Sequence, residues 1–481
     1  MATDLNNGET IKKEKKNRKQ RENLRTPKGT LDLSPKEAII KKRLEQICRK
    51  NFERHNGIPI ETPMFELREN LIGKYGEDTK LIFNLEDQGG DICSLRYDLT
   101  VPFSRFLSKG KISRIRKYQI GSVFRRDNPS KGRLREFSQA DFDFCGTNIA
   151  MSYDAEMLSM ISEILLEITN TFDLGEFVLK VNDRRIINGY LELANIKEEL
   201  KMDICSTIDK MNKLSENEIK KEMEEKGLKS DQIDFLYRKV MNKKFGFLET
   251  IEYLKKLLVS EKLSKMNIND QNAVPNQFIN TNSLSEFETA CDEFLLLFDY
   301  CNAFGVKVEL DLTLARGLSY YTGLIVEGSF IDAEVGSICG GGRYDNLCKS
   351  ISDFSVPCVG FSIGVTRIML AILAKEDKRE FDWGYQVFVG SAYGVMLEER
   401  MRILKEVQQE FNAETMTGER MKFKSQLDYA YKNSFKVCLF TGETEKKEGK
   451  LIFYDLIRDE RREILRSELM EELRNYFNKP E

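Results

Sequence analysis

Histidine is nearly missing from this chain: His55 is the single one among 481 residues. A multi-histidine metal site is excluded, and no histidine outside position 55 can serve a Ser-His-Asp triad. His55 falls near a predicted helix end, where a cation is mildly favoured, and reads as a surface or cap residue. The ten cysteines are scattered with no CxxC pair. That argues against a zinc site or a disulfide framework and for a reducing compartment. No apolar run approaches the length of a membrane span, and no secretory signal opens the chain. Neither GxGxxG nor GK[ST] spacing occurs, which removes the dinucleotide fingerprint and the P-loop. Formal net charge is only −3, so a polyanion would have to be met by a local patch.

One such patch is present. Between Lys111 and Arg135 stand nine basic residues against the single acid Asp127. The stretch Lys117–Cys145 reads as a strand (Tyr118–Phe124), an arginine-rich loop (Arg125–Arg135, with Arg126 and Lys131) and a second strand (Phe137–Cys145). Side chains alternate across a strand, so Phe137, Gln139, Asp141 and Asp143 share one face and Ala140, Phe142 and Phe144 the other. Buried carboxylates need partners, so a Gln-Asp-Asp face is unusual for structure alone. A cationic loop beside an acidic floor suits substrates with an anionic half and a cationic half.

The length implies two to four domains. Residues 1–25 are lysine-rich and read as a disordered basic tail, a solvated arm or a weak attractor of nucleic acid. Glu9, Glu14 and Glu22 make it a poor mitochondrial presequence. Ser34-Pro35-Lys36-Glu37 opens a helix with a capping box, and Asn56-Gly57 closes it. A strand is predicted at Ile58–Thr62, broken by Pro63, and a hairpin from Leu81–Leu85 and Asp91–Leu95. Asp98 and Thr100, two apart, are expected on one face, positioned by a short helix at Val101–Leu107.

An amphipathic helix covers Ala150–Phe172 and a strand follows at Phe177–Val181. From Arg185 to Phe287 the Lys/Glu-rich texture predicts an inserted helical module with solvated charged faces. Strands return at Lys307–Thr313 and Gly317–Gly328. Gly340-Gly341-Gly342 allows either close backbone approach to a ligand or a tight turn. Trp383-Gly384 marks a boundary. Beyond it, strands and helices alternate (strands near Gln386, Ala413 and Lys436) as in a small α/β domain, with Thr441–Lys450 as a turn.

Arg125, Arg316 and Arg367 each abut glycine or a turn beside apolar sequence. Guanidinium grips phosphate or carboxylate bidentately, and three from distant segments would stabilise charge on a phosphoryl group. Surface ion pairing is the competing reading for any one of them. Of the pair Tyr320-Tyr321, alternation puts one ring in the core and one in a pocket.

At these residues a resemblance enters. FRRDNPSKGRLREF (Phe124–Phe137) resembles motif 2 of the class II aminoacyl-tRNA synthetases. LARGLSYYTG (Leu314–Gly323) resembles the LARGLDYYTG signature of the histidyl-tRNA synthetase family. GGGRYDNL (Gly340–Leu347) and PCVGFSIGVTRI (Pro357–Ile368) are similar to its later blocks, the last being motif 3.

The resemblance implies an α+β fold: a class II antiparallel sheet flanked by helices over residues 26–384, with a helical insertion at 185–287 and an α/β anticodon-binding domain at 385–481. It implies ATP-dependent ligation of histidine to tRNA(His) through a histidyl-adenylate, in a cytoplasmic homodimer with Pro63 at the motif 1 interface. ATP is a substrate, Mg2+ is held through its phosphates, and no resident metal site is expected.

By position, Asp98, Thr100 and Gln139 would hold the α-amino group. Asp143 and Tyr321 would bracket the imidazole, with Tyr320 and Tyr344 alongside. Arg125 would meet the α-phosphate, Phe137 stack on adenine, Asp127 and Arg133 contact ATP, and Arg367 take the triphosphate. Arg125 and Arg316 would be the catalytic pair. Ser319 and Thr366 depart from the family's usual Asp and Glu. A catalytically silent paralogue with a regulatory role and another class II synthetase are the rival readings.

Overall fold

The computed structural model describes residues 24–478, apart from 87–88, 131, 212–213, 242–244, 267–280, 318, 333–334, 376–383, 385 and 419–421. Residues 1–23 of the expected tail, Lys131, Leu318 and Trp383 lie outside the described residues. The chain divides into two compact units, Met1–Lys375 and Glu376–Glu481.

In the first unit, helix α1 (Pro35–Arg54) opens with the expected capping box. Glu37 N–H donates to Ser34 Oγ (3.4 Å) and Ser34 N–H to the Glu37 carboxylate (2.6 Å). Such a cap stabilises by about 1 kcal/mol. Strand β1 is only Ile58–Pro59, shorter than the predicted Ile58–Thr62, because Pro63 follows closely and lacks the N–H a ladder needs. The predicted hairpin at 81–95 is mostly loop. Its centre does pair, since Leu85 N–H donates to the Cys93 carbonyl (3.0 Å) and Leu95 N–H to that of Phe83 (2.9 Å) around the Asn84–Ser94 bridge, and β3 (Cys93–Leu95) also pairs with strand β2 (Phe65–Leu67).

Helix α2 (Thr100–Gly110) follows. Strands β4 (Ile115–Phe124) and β5 (Glu136–Cys145) pair over their full length, from Ile115 opposite Cys145 to Phe124 opposite Glu136. Helix α3 (Ser152–Phe172) leads to β6 (Phe177–Asp183). Later come β7 (Glu309–Leu310), β8 (Leu324–Phe330), β9 (Ser337–Arg343), β10 (Cys358–Ile363) and helix α4 (Val365–Lys375). The predicted strands at 307–313 and 317–328 thus shrink to β7 and β8. Between them, Arg316, Gly317, Ser319, Tyr320 and Tyr321 belong to no strand and line a cavity.

These strands form an eight-stranded sheet in the order β1-β4-β5-β10-β9-β8-β6-β7, antiparallel except at its two edges. One face is covered by α1, α3 and α4. Phe142 and Phe144 of β5 are fully buried there, with Phe142 5.4 Å from Phe52 of α1. The glycine triplet lies inside β9, not in a turn. A side chain on Gly341 would strike Phe361 of the neighbouring strand, whereas Gly340 faces open space. Between β6 and β7 the chain is helical, including Arg184–Leu193, Glu198–Ile208, Glu216–Glu225, Phe247–Met266 and Thr281–Phe304. Tyr190, Phe287 and Phe294 are buried in this module.

The second unit is a five-stranded sheet. Its strands are β11 (Val387–Ser391), β12 (Ala413–Thr415), β13 (Val437–Thr441), β14 (Lys450–Asp455) and β15 (Glu460–Leu465), ordered β12-β11-β13-β14-β15. The first three are parallel and the last two antiparallel. The stretch expected as a turn folds instead into a short helix, Glu443–Glu448, ended by Gly449 at φ 66°. Among the described residues no helix is long and apolar enough to cross a membrane.

Candidate active site

The uncovered face of the first sheet carries a cavity of about 420 Å³. All thirteen side chains singled out from the sequence line it: Asp98, Thr100, Arg125, Asp127, Arg133, Phe137, Gln139, Asp143, Arg316, Tyr320, Tyr321, Tyr344 and Arg367. The β4–β5 pairing explains the floor. Phe137, Gln139, Asp141 and Asp143 alternate toward the cavity because Ala140, Phe142 and Phe144 are drawn into the apolar layer behind.

One end of the cavity is cationic. Arg125, at the end of β4, lies with its guanidinium carbon 4.2 Å from the Tyr97 ring centre and 5.1 Å from that of Phe137, and donates to the Tyr97 carbonyl (3.2 Å). Arg367, in the first turn of α4, donates to the carbonyls of Gly132 (3.2 Å) and Ser337. Burial pushes the Arg367 guanidinium down to about 10, and the neighbouring charges of Arg133, Arg316 and Arg125 push the same way. Four guanidiniums brought this close repel one another and favour an anion among them.

Arg316 is paired. Glu327 of β8 takes its Nη1, and Asp209 from the helical module lies 3.7 Å from its Nε. Burial depresses its ionisation, but Glu327 and Asp209 outweigh that and hold it above the ordinary value. The next residue, Gly317, has φ 61°, and a side chain there would run into the Tyr321 ring. Only glycine fits that position easily.

The other end is acidic and aromatic. Asp98 and Thr100 do not share a strand face. Asp98 sits just ahead of α2 and accepts from the N–H groups of Thr100 (3.1 Å) and Val101 (3.0 Å), as well as from Tyr75 OH (3.0 Å). Burial raises its pKa against those bonds and the Arg125 charge. Tyr320 and Tyr321 both line the cavity, contrary to the alternation expected of them. The segment turns back on Gly317, whose carbonyl accepts from both backbone N–H groups, and the ring centres lie 4.6 Å apart with their planes tilted by 54°. Tyr344 donates its hydroxyl to Asp143. Burial pushes the hydroxyls of Tyr320, Tyr321 and Tyr344 up, so all three remain donors at neutral pH.

Two features escaped sequence reading. Lys117, fully buried on β4, reaches Asp143 at 2.6 Å; the register that places it opposite Asp143 follows from the hairpin itself. Asp141 has Lys117 as its main counter-charge, with Arg96 also in its field. Burial raises its carboxyl to about 7. Its Oδ1 and the Gln139 Oε1 are buried without a hydrogen-bond partner, two acceptors facing a cavity. Thr366, the departure in motif 3, accepts from Ser138 N–H (2.8 Å) and ties α4 to β5.

A profile of the histidyl-tRNA synthetase family matches residues 29–368. The chain belongs to the histidyl-tRNA synthetase family. It is 39% identical over 455 residues to a probable cytoplasmic histidine–tRNA ligase of Encephalitozoon cuniculi (strain GB-M1), covering 93% of this chain and 97% of that one. The histidine–tRNA ligase of Danio rerio is 38% identical over 486 residues, covering 94% and 88%. Among solved structures, the histidyl-tRNA synthetase from Nostoc sp. PCC 7120 superimposes with a TM-score of 0.78 at 26% identity, covering 94% of this chain and 99% of that one. A Bacillus halodurans C protein described as an ATP phosphoribosyltransferase regulatory subunit/histidyl-tRNA synthetase shares the fold at 19% identity and a TM-score of 0.64, over 87% and 98% of the two chains. Arg316, Tyr320 and Tyr321 line the same cavity as Arg125, Arg133 and Phe137 of the β4–β5 hairpin.

Proposed function

We propose that this cavity activates histidine with ATP and that the histidyl group is then passed to tRNA(His). The observation that carries the reading is the division of one cavity into a cluster of guanidiniums and an acidic, aromatic floor. ATP lies along the cationic end: Phe137 stacks on adenine, Asp127 and Arg133 contact the nucleotide, Arg125 meets the α-phosphate and Arg367 the outer phosphates. Histidine lies on the floor, its α-ammonium at Asp98, Thr100 and Gln139, its ring between Asp143 and Tyr321, with Tyr320 and Tyr344 closing the pocket.

The histidine carboxylate is ionised at neutral pH, so its in-line attack on the α-phosphate needs no general base. Arg125 and Arg316 stabilise the charge that develops there, and pyrophosphate leaves. Among the described residues no group of three or more His, Cys, Asp or Glu side chains could hold a metal ion. Mg2+ would be held through the ATP phosphates and would neutralise their charge, while Arg316 supplies a fixed protein cation beside them.

Residues 385–481 serve as the anticodon-binding domain and 185–287 as the helical insertion of a catalytic domain spanning 26–384. The enzyme acts as a homodimer through the motif 1 segment. Exposed Ile58, Met64, Phe65 and Ile92 give that segment an apolar surface around Pro63. Relatives named as cytoplasmic support a cytoplasmic location.

Pyrophosphate exchange into ATP, run with each of the twenty amino acids, tests the reading. Exchange dependent on histidine alone is expected. No exchange with any amino acid points to a silent paralogue, and exchange only with another amino acid refutes the histidine assignment.

A further inference from the structure

Lys117 has no assigned role, and its surroundings are unusual. Its side chain is fully buried, its Nζ is 2.6 Å from Asp143 Oδ2, and it stands 4.6 Å from the centre of the Phe103 ring of α2. Asp141, two residues along β5 on the same face, feels its charge as well. The second oxygen of Asp143 accepts from Tyr344. Asp98, at the start of α2, adds a third carboxylate whose field reaches Asp141, and Arg96 faces Asp141 from the β3 side. Removing an ammonium from water is costly unless it is paired. Here the pairing is with the very carboxylate that, on the reading above, meets the substrate ring.

We infer that Lys117 is a specificity-determining positioning residue: by cancelling the charge of Asp143 and fixing its orientation, it makes the floor accept a neutral imidazole and reject an imidazolium or other cationic side chain. A bare carboxylate in a buried pocket attracts a cation strongly. With Lys117 against one oxygen and Tyr344 against the other, Asp143 still accepts a ring N–H, but the pair carries no net charge with which to draw in a protonated ring. The inference rests on the assignment of Asp143 to the ring, so its test must separate the two.

The test is pyrophosphate exchange between pH 7.5 and 5.5, with histidine and with a histidine analogue whose triazole ring stays unprotonated throughout. Both share the α-amino and carboxyl groups, so the ratio of their KM values isolates the ring. For a ring pKa of ~6.5, the neutral fraction of histidine falls about tenfold over this range. The wild-type KM ratio should therefore rise about tenfold as pH falls. In Lys117→Met the ratio should rise less than about threefold, with histidine KM at pH 7.5 raised at least about tenfold and kcat moved far less, the split of a lost binding term. Lys117→Arg, which keeps the charge, should restore the wild-type ratio.

A flat ratio in the wild type overturns the inference without any variant, as does a wild-type ratio in Lys117→Met or a flattened one in Lys117→Arg. Those outcomes leave histidine-dependent exchange in place. Failure of the underlying assignment looks different, because the wild-type enzyme then shows no histidine-dependent exchange at any pH.

Discussion

The two ends of the cavity solve opposite electrostatic problems. At the cationic end Arg125, Arg133, Arg316 and Arg367 converge from motif 2, the Leu314–Gly323 segment and α4, and their mutual repulsion contributes to the lowered Arg367 pKa. Arg316 is held by Glu327 and Asp209, but the cluster as a whole favours an anion among its guanidiniums. At the acidic end Asp143 already has its counter-ion in Lys117, while Asp141 Oδ1, Gln139 Oε1 and Ser362 Oγ are buried without hydrogen-bond partners. One end gathers guanidiniums that favour an anionic ligand, while at the other Lys117 neutralises Asp143 before any ligand arrives. Affinity for ATP and selectivity for an amino acid are thereby held in separate places.

Removing a cation that faces the reacting phosphate should have the largest effect. Arg316→Ala should lower pyrophosphate exchange by about 10²–10³-fold, the usual cost of one lost transition-state donor, with the circular-dichroism spectrum unchanged. Retained exchange would take Arg316 out of the mechanism. Next in size, Gly360→Ala places a methyl group against the Asp143 carboxylate. It should raise histidine KM by about 10–100-fold while leaving ATP KM near wild type, since misplacing a positioned group costs up to about that much. An equal rise in both constants would mean the two ends are not separable.

Thr366→Ala leaves the Ser138 N–H buried without its acceptor. A loss of about 1–3 kcal/mol in a denaturant titration is expected. Asp141→Asn tests the acidic end by pH. Burial raises the Asp141 pKa from 3.8 to about 7, so the folded state binds a proton more readily than the unfolded chain. The wild type therefore loses stability as pH climbs from about 4 through 7, and the asparagine variant should gain on it over that window. A constant difference would show that Asp141 is not buried as an acid.

The smallest effect is expected away from the site. His55 caps α1 and lies 3.3 Å from both Glu156 and Glu163, which raise its pKa against partial burial. A raised folded pKa contributes stability that is fully present below the unfolded value and is lost as pH rises through the folded one. His55→Gln should thus lower the melting temperature at pH 6 and matter little at pH 9.

Local order was readable wherever short-range rules decide it. Ser34 and Glu37 announced the start of α1, and the alternation of Phe137 to Cys145 separated the cavity face of β5 from its core face. Reading failed where the backbone leaves regular geometry. Tyr320 and Tyr321 were assigned opposite faces on strand logic, but Gly317 reverses the chain and turns both rings to the cavity. Asp98 was treated as a strand residue and proved to hold the first N–H groups of α2.

By itself the sequence determined the charge pattern, the periodicity of its helices and strands, and the four motif blocks that mark the family. Those properties depend on neighbours a few residues apart and survive any arrangement of the rest. Only the tertiary structure decided which charges meet. Lys117 opposite Asp143, Asp209 beside Arg316 and Thr366 under Ser138 join residues separated by 26, 107 and 228 positions. The energy of each pair depends on distance and burial, and neither is set until the sheet closes and water is excluded.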